Sequence, residues 1–289
     1  HEVAFQSPIT QLRAHDGGQQ VLVATADGLL RVWNEITYRV ERIFHLEDTI
    51  ADCQWSPDGS LVVAVDKSNV RAVWAVDGGN PLSYVKGAQS VFTEIAITSD
   101  NVNIITAELN GALRTWMAQG DPFRRVVDEV PSPTTALAVA RNGGITAVAR
   151  KDGSIRFLAS ETGAWIREVQ RQPGHTGTGL CLNATGTRAG IVVDEFTPVV
   201  LATDTGDAIA QFGPQPGYVL AIALDAEGER ALTGGWDGVP RLWDVATGTL
   251  LHTFSVQENT VCEVAFSPDG RFALSGSTSG MAIVWNLED

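Results

Sequence analysis

Residues 261–286, VCEVAFSPDGRFALSGSTSGMAIVWN, contain three short apolar runs separated by two turns. In VCEVAF the positions of Val264 and Phe266 alternate with polar or small residues, which is the pattern of a half-buried β-strand. The sequence SPDG supplies the first turn and TSG the second. The segment therefore predicts three consecutive antiparallel strands.

The same pattern occurs seven times along the chain. The turn position of Gly270 recurs at steps of 41 to 43 residues, with apolar residues six and four places before it and a bulky one fifteen places after it. A fixed period of this length indicates a repeat array. The turn positions are Gly18, Gly59, Asn101, Gly143, Gly186, Gly228 and Gly270, and the bulky residues are Trp33, Trp74, Trp116, Leu158, Leu201, Trp243 and Trp285.

Each unit also predicts a fourth, more polar strand, such as residues 38–44 and 250–254. The next apolar position lies in most units nine places before the turn, out of step with the two that follow it, which predicts a β-bulge. Four strands per unit make one blade of a β-propeller. We therefore predict an all-β fold, a seven-bladed propeller of four-stranded antiparallel blades, in which residues 1–289 form a single domain.

Residues 261–286 are similar to a WD40 consensus repeat, and residues 231–248, ALTGGWDGVPRLWDVATG, resemble it nearly as closely. The resemblance extends over all 289 residues and implies a ring closed by the chain ends, with residues 2–5 pairing beside 282–285 in the last blade. One departure is that no blade holds the full Asp–His–Ser/Thr–Trp network of the family. The only Gly-His pair is Gly174-His175, in a unit that has Leu201 at the tryptophan position.

The chain carries a formal net charge of −14. Such a surface repels phosphate backbones and anionic lipid, so we expect neither nucleic acid nor membrane as a partner. Arginine greatly outnumbers lysine, a bias found in GC-rich bacterial genomes. The chain begins at His1 without a signal peptide, so we expect a piece of a longer cytoplasmic protein, with Cys53, Cys181 and Cys262 reduced.

Motifs for catalysis are missing from the sequence: it contains no HExxH, P-loop or GxSxG pattern. The histidines do not converge by repeat position, and no metal-ligand spacing joins them to cysteines. His175 is interpreted as a structural hydrogen-bonding residue, and the Asn183-Ala-Thr185 sequon as chance. We therefore predict no enzyme activity, no cofactor and no metal.

The WD40 resemblance implies that partners contact one face of the ring, at the positions ten and eight places before each turn and eight places after it. Among these 21 positions only Lys67, Lys151 and Asp194 are charged, which favours docking of a peptide or protein segment. The alternative is that the many threonines there reflect β-propensity alone. The candidate partner-binding residues are Tyr218, Leu220, Trp236, Lys67, Lys151, Asp194, Thr93 and Thr135.

The sixth repeat places two aromatic residues, Tyr218 and Trp236, at these contact positions. Tyr218 and Leu220 are two apart in a strand and are expected to share a face, unless the nearby bulge turns one of them away. The two glycines before Trp236 are expected to leave room around its ring. Alternatively, Trp236 folds over its own blade and shields Leu220.

Three functions follow from these observations. The first is a protein-interaction or sensor module, attached to an NTPase, kinase or protease domain upstream of His1. The second is a propeller enzyme of the lactonase or lyase kind, for which the face offers only Asp194 and two lysines. The third is a structural oligomerisation scaffold, against which the mixed outer strand YRVERIF (38–44) argues. We predict the interaction module.

Overall fold

The computed structural model describes residues 2–15, 19–34, 36–86, 90–98, 101–118, 123–129, 132–160, 162–170, 179–192 and 196–288, with the backbone alone for 2–4 and 123–129. These residues form 28 β-strands and no helix, in seven sheets of four strands. The prediction of an all-β, seven-bladed propeller with four-stranded antiparallel blades is confirmed.

Blades one to four follow the chain in order, each with its innermost strand first. Blade one consists of β2 Ile9–Ala14, β3 Gln20–Thr25, β4 Leu29–Asn34 and β5 Arg39–His45. Blade two consists of β6 Ile50–Trp55, β7 Leu61–Asp66, β8 Val70–Ala75 and β9 Pro81–Lys86. Blade three consists of β10 Phe92–Ile97, β11 Asn103–Glu108, β12 Ala112–Met117 and β13 Phe123–Glu129. Blade four consists of β14 Thr134–Val139, β15 Ile145–Arg150, β16 Ser154–Ala159 and β17 Trp165–Gln170.

Blades five and six continue the pattern, and blade seven takes its outer strand from the start of the chain. Blade five consists of β18 Leu180–Leu182, β19 Arg188–Val192, β20 Pro198–Ala202 and β21 Ala208–Gln211. Blade six consists of β22 Val219–Leu224, β23 Arg230–Gly235, β24 Arg241–Asp244 and β25 Leu250–Thr253. Blade seven consists of β26 Val261–Phe266, β27 Phe272–Ser277, β28 Met281–Asn286 and β1 Glu2–Ala4.

The ring closes where β1 pairs antiparallel with β28. Glu2 lies opposite Ile283 and Ala4 opposite Met281, while the amide of Phe5 donates to the carbonyl of Gly280 at 2.8 Å. The expected closure by the chain ends is therefore present. Its predicted register was wrong, because residues 2–5 lie beside 280–283 and not 282–285. A strand supplied from the other end of the chain has no hairpin turn to fix its register.

The innermost strands contact one another in cyclic order, β2, β6, β10, β14, β18, β22 and β26, and then β2 again. The second strand of each blade is buried almost throughout, as in β7 and β23. Apolar side chains from adjacent blades fill the gaps between sheets, with Trp33, Trp74, Trp116 and Trp243 all buried. These four tryptophans are thus part of the core, where burial of apolar area supplies most of the stability, and the half-buried Trp285 packs against it.

The predicted turn position adopts the left-handed backbone conformation wherever it is described. The dihedral angle φ is 70° at Gly59, 57° at Asn101, 71° at Gly143 and 67° at Gly270. Glycine and asparagine tolerate this conformation, which explains why no other residue type occupies the position. Gly18 lies outside the described residues.

A β-bulge interrupts the innermost strand of blades one, two, three, four, six and seven, and the corresponding residues of blade five lie outside the described part of the chain. The register between first and second strands shifts at Ile9/Gln11, Ile50/Asp52, Phe92/Glu94, Thr134/Ala136, Val219/Ala221 and Val261/Glu263. The bulge predicted from the out-of-step apolar residue is therefore present in these six blades. In each of the six strands, one residue, eight places before the turn, is left without a partner in the ladder.

Candidate functional site

The contact positions implied by the WD40 resemblance lie together at one edge of each described blade. The residue eight places after the turn donates its amide to the carbonyl of the residue ten places before it. This bond is 2.8 Å from Trp236 to Tyr218 in blade six, and it recurs in blades one, two, three, four and seven. The bulged residue lies two places further along the innermost strand. The three sets therefore share one face of the propeller, which we call the contact face.

Where blades five and six meet, the contact face carries three aromatic side chains in contact. The rings of Tyr218 and Trp236 are 4.5 Å apart and nearly perpendicular, and those of Phe196 and Tyr218 are 5.0 Å apart. Trp236 is 59% exposed and Phe196 39% exposed. Edge-to-face and tilted contacts at these distances are favourable, so the three rings hold one another in place while two remain open to solvent.

Val256 extends this surface. Val256 is 70% exposed, and its side chain lies close to Gly238. Gly238 belongs to the same turn as Trp236. Phe196, Tyr218, Trp236 and Val256 together are called the aromatic patch. Exposed apolar clusters of this kind mark interaction sites on folded proteins.

The sequence interpretation missed Phe196 and Val256. Phe196 belongs to blade five and reaches the patch only because blades five and six are adjacent in the ring. Val256 lies in the connection from blade six to blade seven. The signal available was their type, since each is a large apolar residue in a connection between strands.

The two glycines before Trp236 are required by close packing. A Cβ atom on Gly235 would overlap the carbonyl oxygen of Tyr218 and lie 3.0 Å from the Cα atom of Val219, and one on Gly234 would collide with Val261. The glycines thus allow close approach of the backbone and of the next blade. The room that they were expected to leave around the indole ring stays a prediction.

A buried hydrogen-bonded chain supports the patch from below. The amide of Gln215 donates to the Thr233 hydroxyl at 2.9 Å, and the same hydroxyl accepts the indole N–H of Trp243 at 2.9 Å. Arg241 donates to Gln215 at 3.1 Å and binds Asp237 at 2.6 Å. Satisfied buried networks of this kind rigidify what they support.

This hydrogen-bonded network takes the place of the Asp–His–Ser/Thr–Trp network of the WD40 family, which the sequence lacks. The Gln215 backbone amide also bonds the carbonyl of Phe196 at 3.2 Å, so the network fixes both edges of the aromatic patch. Blade seven repeats the arrangement with Trp285, Ser275 and Gln257. Glutamine takes the place of histidine in both blades, while His175 lies outside the described residues.

The other predicted site residues are spread around the ring. Leu220 is the bulged residue of blade six and lines the central cavity, so the bulge separates it from Tyr218. Lys67 and Lys151 are exposed on blades two and four. Thr93 and Thr135 are half-buried bulged residues, and the Thr93 hydroxyl donates to the Ala107 carbonyl at 3.2 Å. Asp194 lies outside the described residues.

A cavity of about 290 Å³ runs along the ring axis between the innermost strands. Among the described residues, no group of three or more His, Cys, Asp or Glu side chains is arranged to hold a metal ion. The three cysteines are unpaired, and burial raises the thiol pKa of Cys181 and Cys262 to about 12. These thiols are protonated at neutral pH and therefore poor nucleophiles.

The sequon asparagine is part of the fold. Asn183 is buried, and its amide donates to the hydroxyls of Thr185 and Thr187 at 3.1 Å each. A side chain so enclosed has no room for a glycan. No helix in the described part of the chain has the length and apolar character needed to cross a membrane.

Seven blades of one repeat, closed by the N-terminal strand around a narrow axial cavity, define a repeat-built β-propeller. The family model described as WD domain, G-beta repeat matches residues 1–34, 206–244 and 248–286. These matches identify WD40 repeats in blades one, six and seven, and the other blades follow the same structural pattern.

Curated relatives support the same assignment. A DENN domain and WD repeat-containing protein of Arabidopsis thaliana is 23% identical over 257 residues, covering 82% of this chain and 21% of that protein. The mouse telomerase protein component 1 is 24% identical over 243 residues, covering 83% of this chain and 9% of that protein. Rat apoptotic protease-activating factor 1 is 31% identical over 91 residues, covering 31% of this chain and 7% of that protein. The chain therefore spans about a fifth or less of the length of these relatives.

Proposed function

We propose that this propeller is a protein-interaction module without catalytic activity of its own, and that residues 1–289 act as one domain. Its partner is a protein or peptide segment bound on the contact face. The aromatic patch on blade six is the observation that carries the proposal. Lys67, Lys151, Thr93 and Thr135 form a second, more polar sector on blades two to four, toward which a longer partner segment extends.

The physical properties of the patch match those of a binding anchor. Tryptophan and tyrosine supply large contact areas at a low entropic cost, and they dominate the energetics of protein interfaces. The Asp237 carboxylate beside the patch is already neutralised by Arg241. A partner that covers the patch therefore does not have to bury an unpaired charge at Asp237.

The test is the substitution Trp236→Ala. We expect the variant to lose about 2–4 kcal/mol of partner binding, the usual cost of truncating an interface tryptophan. Because Trp236 is largely exposed, the fold should be retained. Partners are recovered by affinity purification from the native cell and their dissociation constants are then measured for each variant.

Trp165→Ala provides the matched control. Trp165 is 55% exposed, close to the value for Trp236, but lies on the outer strand β17 of blade four, where Arg156 stacks on its ring at 3.8 Å. Loss of partners in the Trp236 variant alone supports the patch. Equal recovery by a folded Trp236 variant would remove blade six from the site.

A second expectation concerns activities that the domain lacks. With a net charge of −14, the isolated domain should not bind duplex DNA tightly at physiological salt, and it should show no hydrolase or lyase turnover. DNA binding is measured by fluorescence anisotropy across a salt series. Salt-sensitive submicromolar affinity would contradict the argument from charge.

We also propose that the module operates inside a longer cytoplasmic protein of bacterial type that carries an NTPase, kinase or protease domain. The name of the Arabidopsis relative couples WD repeats with another domain, and each relative is several times longer than the matched region. Sequencing of the reading frame upstream of His1 tests this directly. A scaffold role is the second candidate, because Val40 and Ile43 on β5 are exposed, and sedimentation of the isolated domain distinguishes it.

A further inference from the structure

The wall of the central cavity holds a cluster of four charged groups on neighbouring innermost strands. Asp52, Glu94 and Glu263 all occupy the position seven places before the turn, on β6, β10 and β26. Arg13 on β2 lies between two of them, bound to Asp52 at 3.0 Å and to Glu263 at 3.1 Å. In ring order the cluster joins blades seven, one, two and three, across the seam between the two ends of the repeat array.

The cluster has more acids than its single base can neutralise. Burial alone would lower the pKa of Arg13, but the charges of Glu263 and Asp52 outweigh it and raise that pKa, so the guanidinium stays charged. The Asp52 side chain is 1% exposed and also accepts the amide of Ile95 at 2.9 Å. One arginine therefore faces three carboxyl groups in a confined space.

Protonation relieves the excess negative charge. Burial, the Asp52 charge and a hydrogen bond with Asp52 raise the pKa of Glu94 well above its usual range. Burial also raises the pKa of Glu263 to about 7, although Arg13 acts in the opposite direction. Glu94 thus retains a proton, which its hydrogen bond with Asp52 favours, and Glu263 takes up a second proton near neutrality.

The other described groups around the cavity do not supply the positive charge that would neutralise the carboxylates in place of these protons. At the same height, blades one, four, five and six contribute Gln11, Ala136, Gly179 and Ala221, which are uncharged. Two places further along stand the Gln54 amide and the protonated thiol of Cys181. The remaining charged groups in the lining, Arg141 and Asp225, lie near the turns at the opposite end, where Arg230 binds Asp225 at 2.9 Å. The protonated thiols of Cys53 and Cys262 flank the cluster on its own strands.

We propose that Arg13, Asp52, Glu94 and Glu263 form a proton-operated clasp at the closing seam of the propeller. With both glutamates protonated, the single arginine balances Asp52 and the four blades are held tightly. When the glutamates ionise, like charges face one another in the wall and the seam loosens. Mild acid therefore tightens the ring and mild alkali relaxes it.

The direction of the effect on stability follows from proton linkage. The pKa of each glutamate is higher in the folded state than in the unfolded state. At pH values between these two pKa values, the folded state therefore binds more protons than the unfolded state. Stability falls as the pH rises through that interval, and for Glu263 the loss is complete above about 7. Carboxylates with lowered pKa, such as Asp58 and Asp269, act in the reverse direction but only at more acidic pH.

The experiment compares melting temperatures between about pH 5.5 and pH 8. Wild-type protein should melt about 5–10 °C lower at the alkaline end. The double variant Glu94→Gln/Glu263→Gln mimics the protonated clasp, so its melting temperature should change little over the same range. Glu258→Gln makes the same glutamate-to-glutamine change at an exposed position. The melting temperature of this variant should depend on pH as that of the wild type does.

A spectroscopic measurement covers the case in which the double variant does not fold. Wild-type protein at neutral pH should show the infrared carbonyl band of protonated carboxylic acids, and Glu94→Gln should weaken this band to the share that Glu263 contributes. Equal pH slopes in wild type and double variant would overturn the clasp, as would an infrared spectrum without this band. Neither measurement involves a partner, so the clasp stands or falls separately from the proposed binding function.

Discussion

Removal of residues 1–6 should lower the melting temperature of the domain by about 10 °C or more. The deletion takes away β1, which supplies the outer strand of blade seven, and it exposes the edge of β28. It also removes Phe5, which packs against the core shared by blades one and seven and lies under the Arg31 guanidinium. Loss of the ladder and of this burial amounts to about 4 kcal/mol.

Chain ends normally tolerate trimming. A large loss of stability on removal of residues 1–6 would therefore point to their role in closing the ring. The control is removal of residues 288–289, which takes away the exposed ion pair between Arg271 and Glu288 and the hydrogen bond from the Glu288 amide to the Asn286 side chain. Such surface pairs are worth less than about 1 kcal/mol. Thermal unfolding followed by circular dichroism measures both variants, and matching melting temperatures for the two would refute closure by β1.

Gly235→Ala should cost about 3 kcal/mol of stability, because the added methyl group meets backbone on the neighbouring strand. The obstructing atom is the Tyr218 carbonyl oxygen, which also accepts the Trp236 amide. The strand pair must therefore separate where it carries the aromatic patch. We expect partner binding to weaken along with stability.

Gly213→Ala is the matched control for this substitution. A Cβ atom at Gly213 has no neighbour within 4 Å, and the residue is exposed in the connection that precedes blade six. This change should be neutral or slightly stabilising, since it restricts the unfolded chain. Chemical denaturation gives both free energies of unfolding. A neutral Gly235→Ala variant would contradict the geometry of the Tyr218–Trp236 pair.

The repeat geometry was predictable because every blade obeys the same local rules. The left-handed turn at Gly270 and the bulge near Val261 each recur in other blades, so the sequence displays them several times over. The closing register was not predictable, since β1 occurs once and has no turn to position it. Strict alternation along the strand places Tyr218 and Leu220 on one face. The bulge at Leu220 instead directs the Leu220 side chain toward the central cavity.

The sites that were missed depend on neighbours distant in the chain. Phe196 meets Tyr218 only across a gap between blades. Arg13 and Glu263 are separated by 250 residues and meet only because the ring is closed. A signal for the clasp was present, since three of the seven residues at its repeat position are acidic. This signal could be interpreted only with the order of the blades around the ring axis, because that order brings the acidic residues together.

The bulged residues give the propeller an unusual tolerance for change at its contact face. Thr10, Ala51, Thr93, Thr135, Leu220 and Cys262 lie outside the ladder of the first strand pair, so their side chains carry no obligation to pair across the sheet. Threonine, alanine, leucine and cysteine all occupy this position within one chain. On the proposed contact face, positions such as Thr93 and Thr135 are therefore suited to substitution one blade at a time, while the ladder of the first strand pair is left intact.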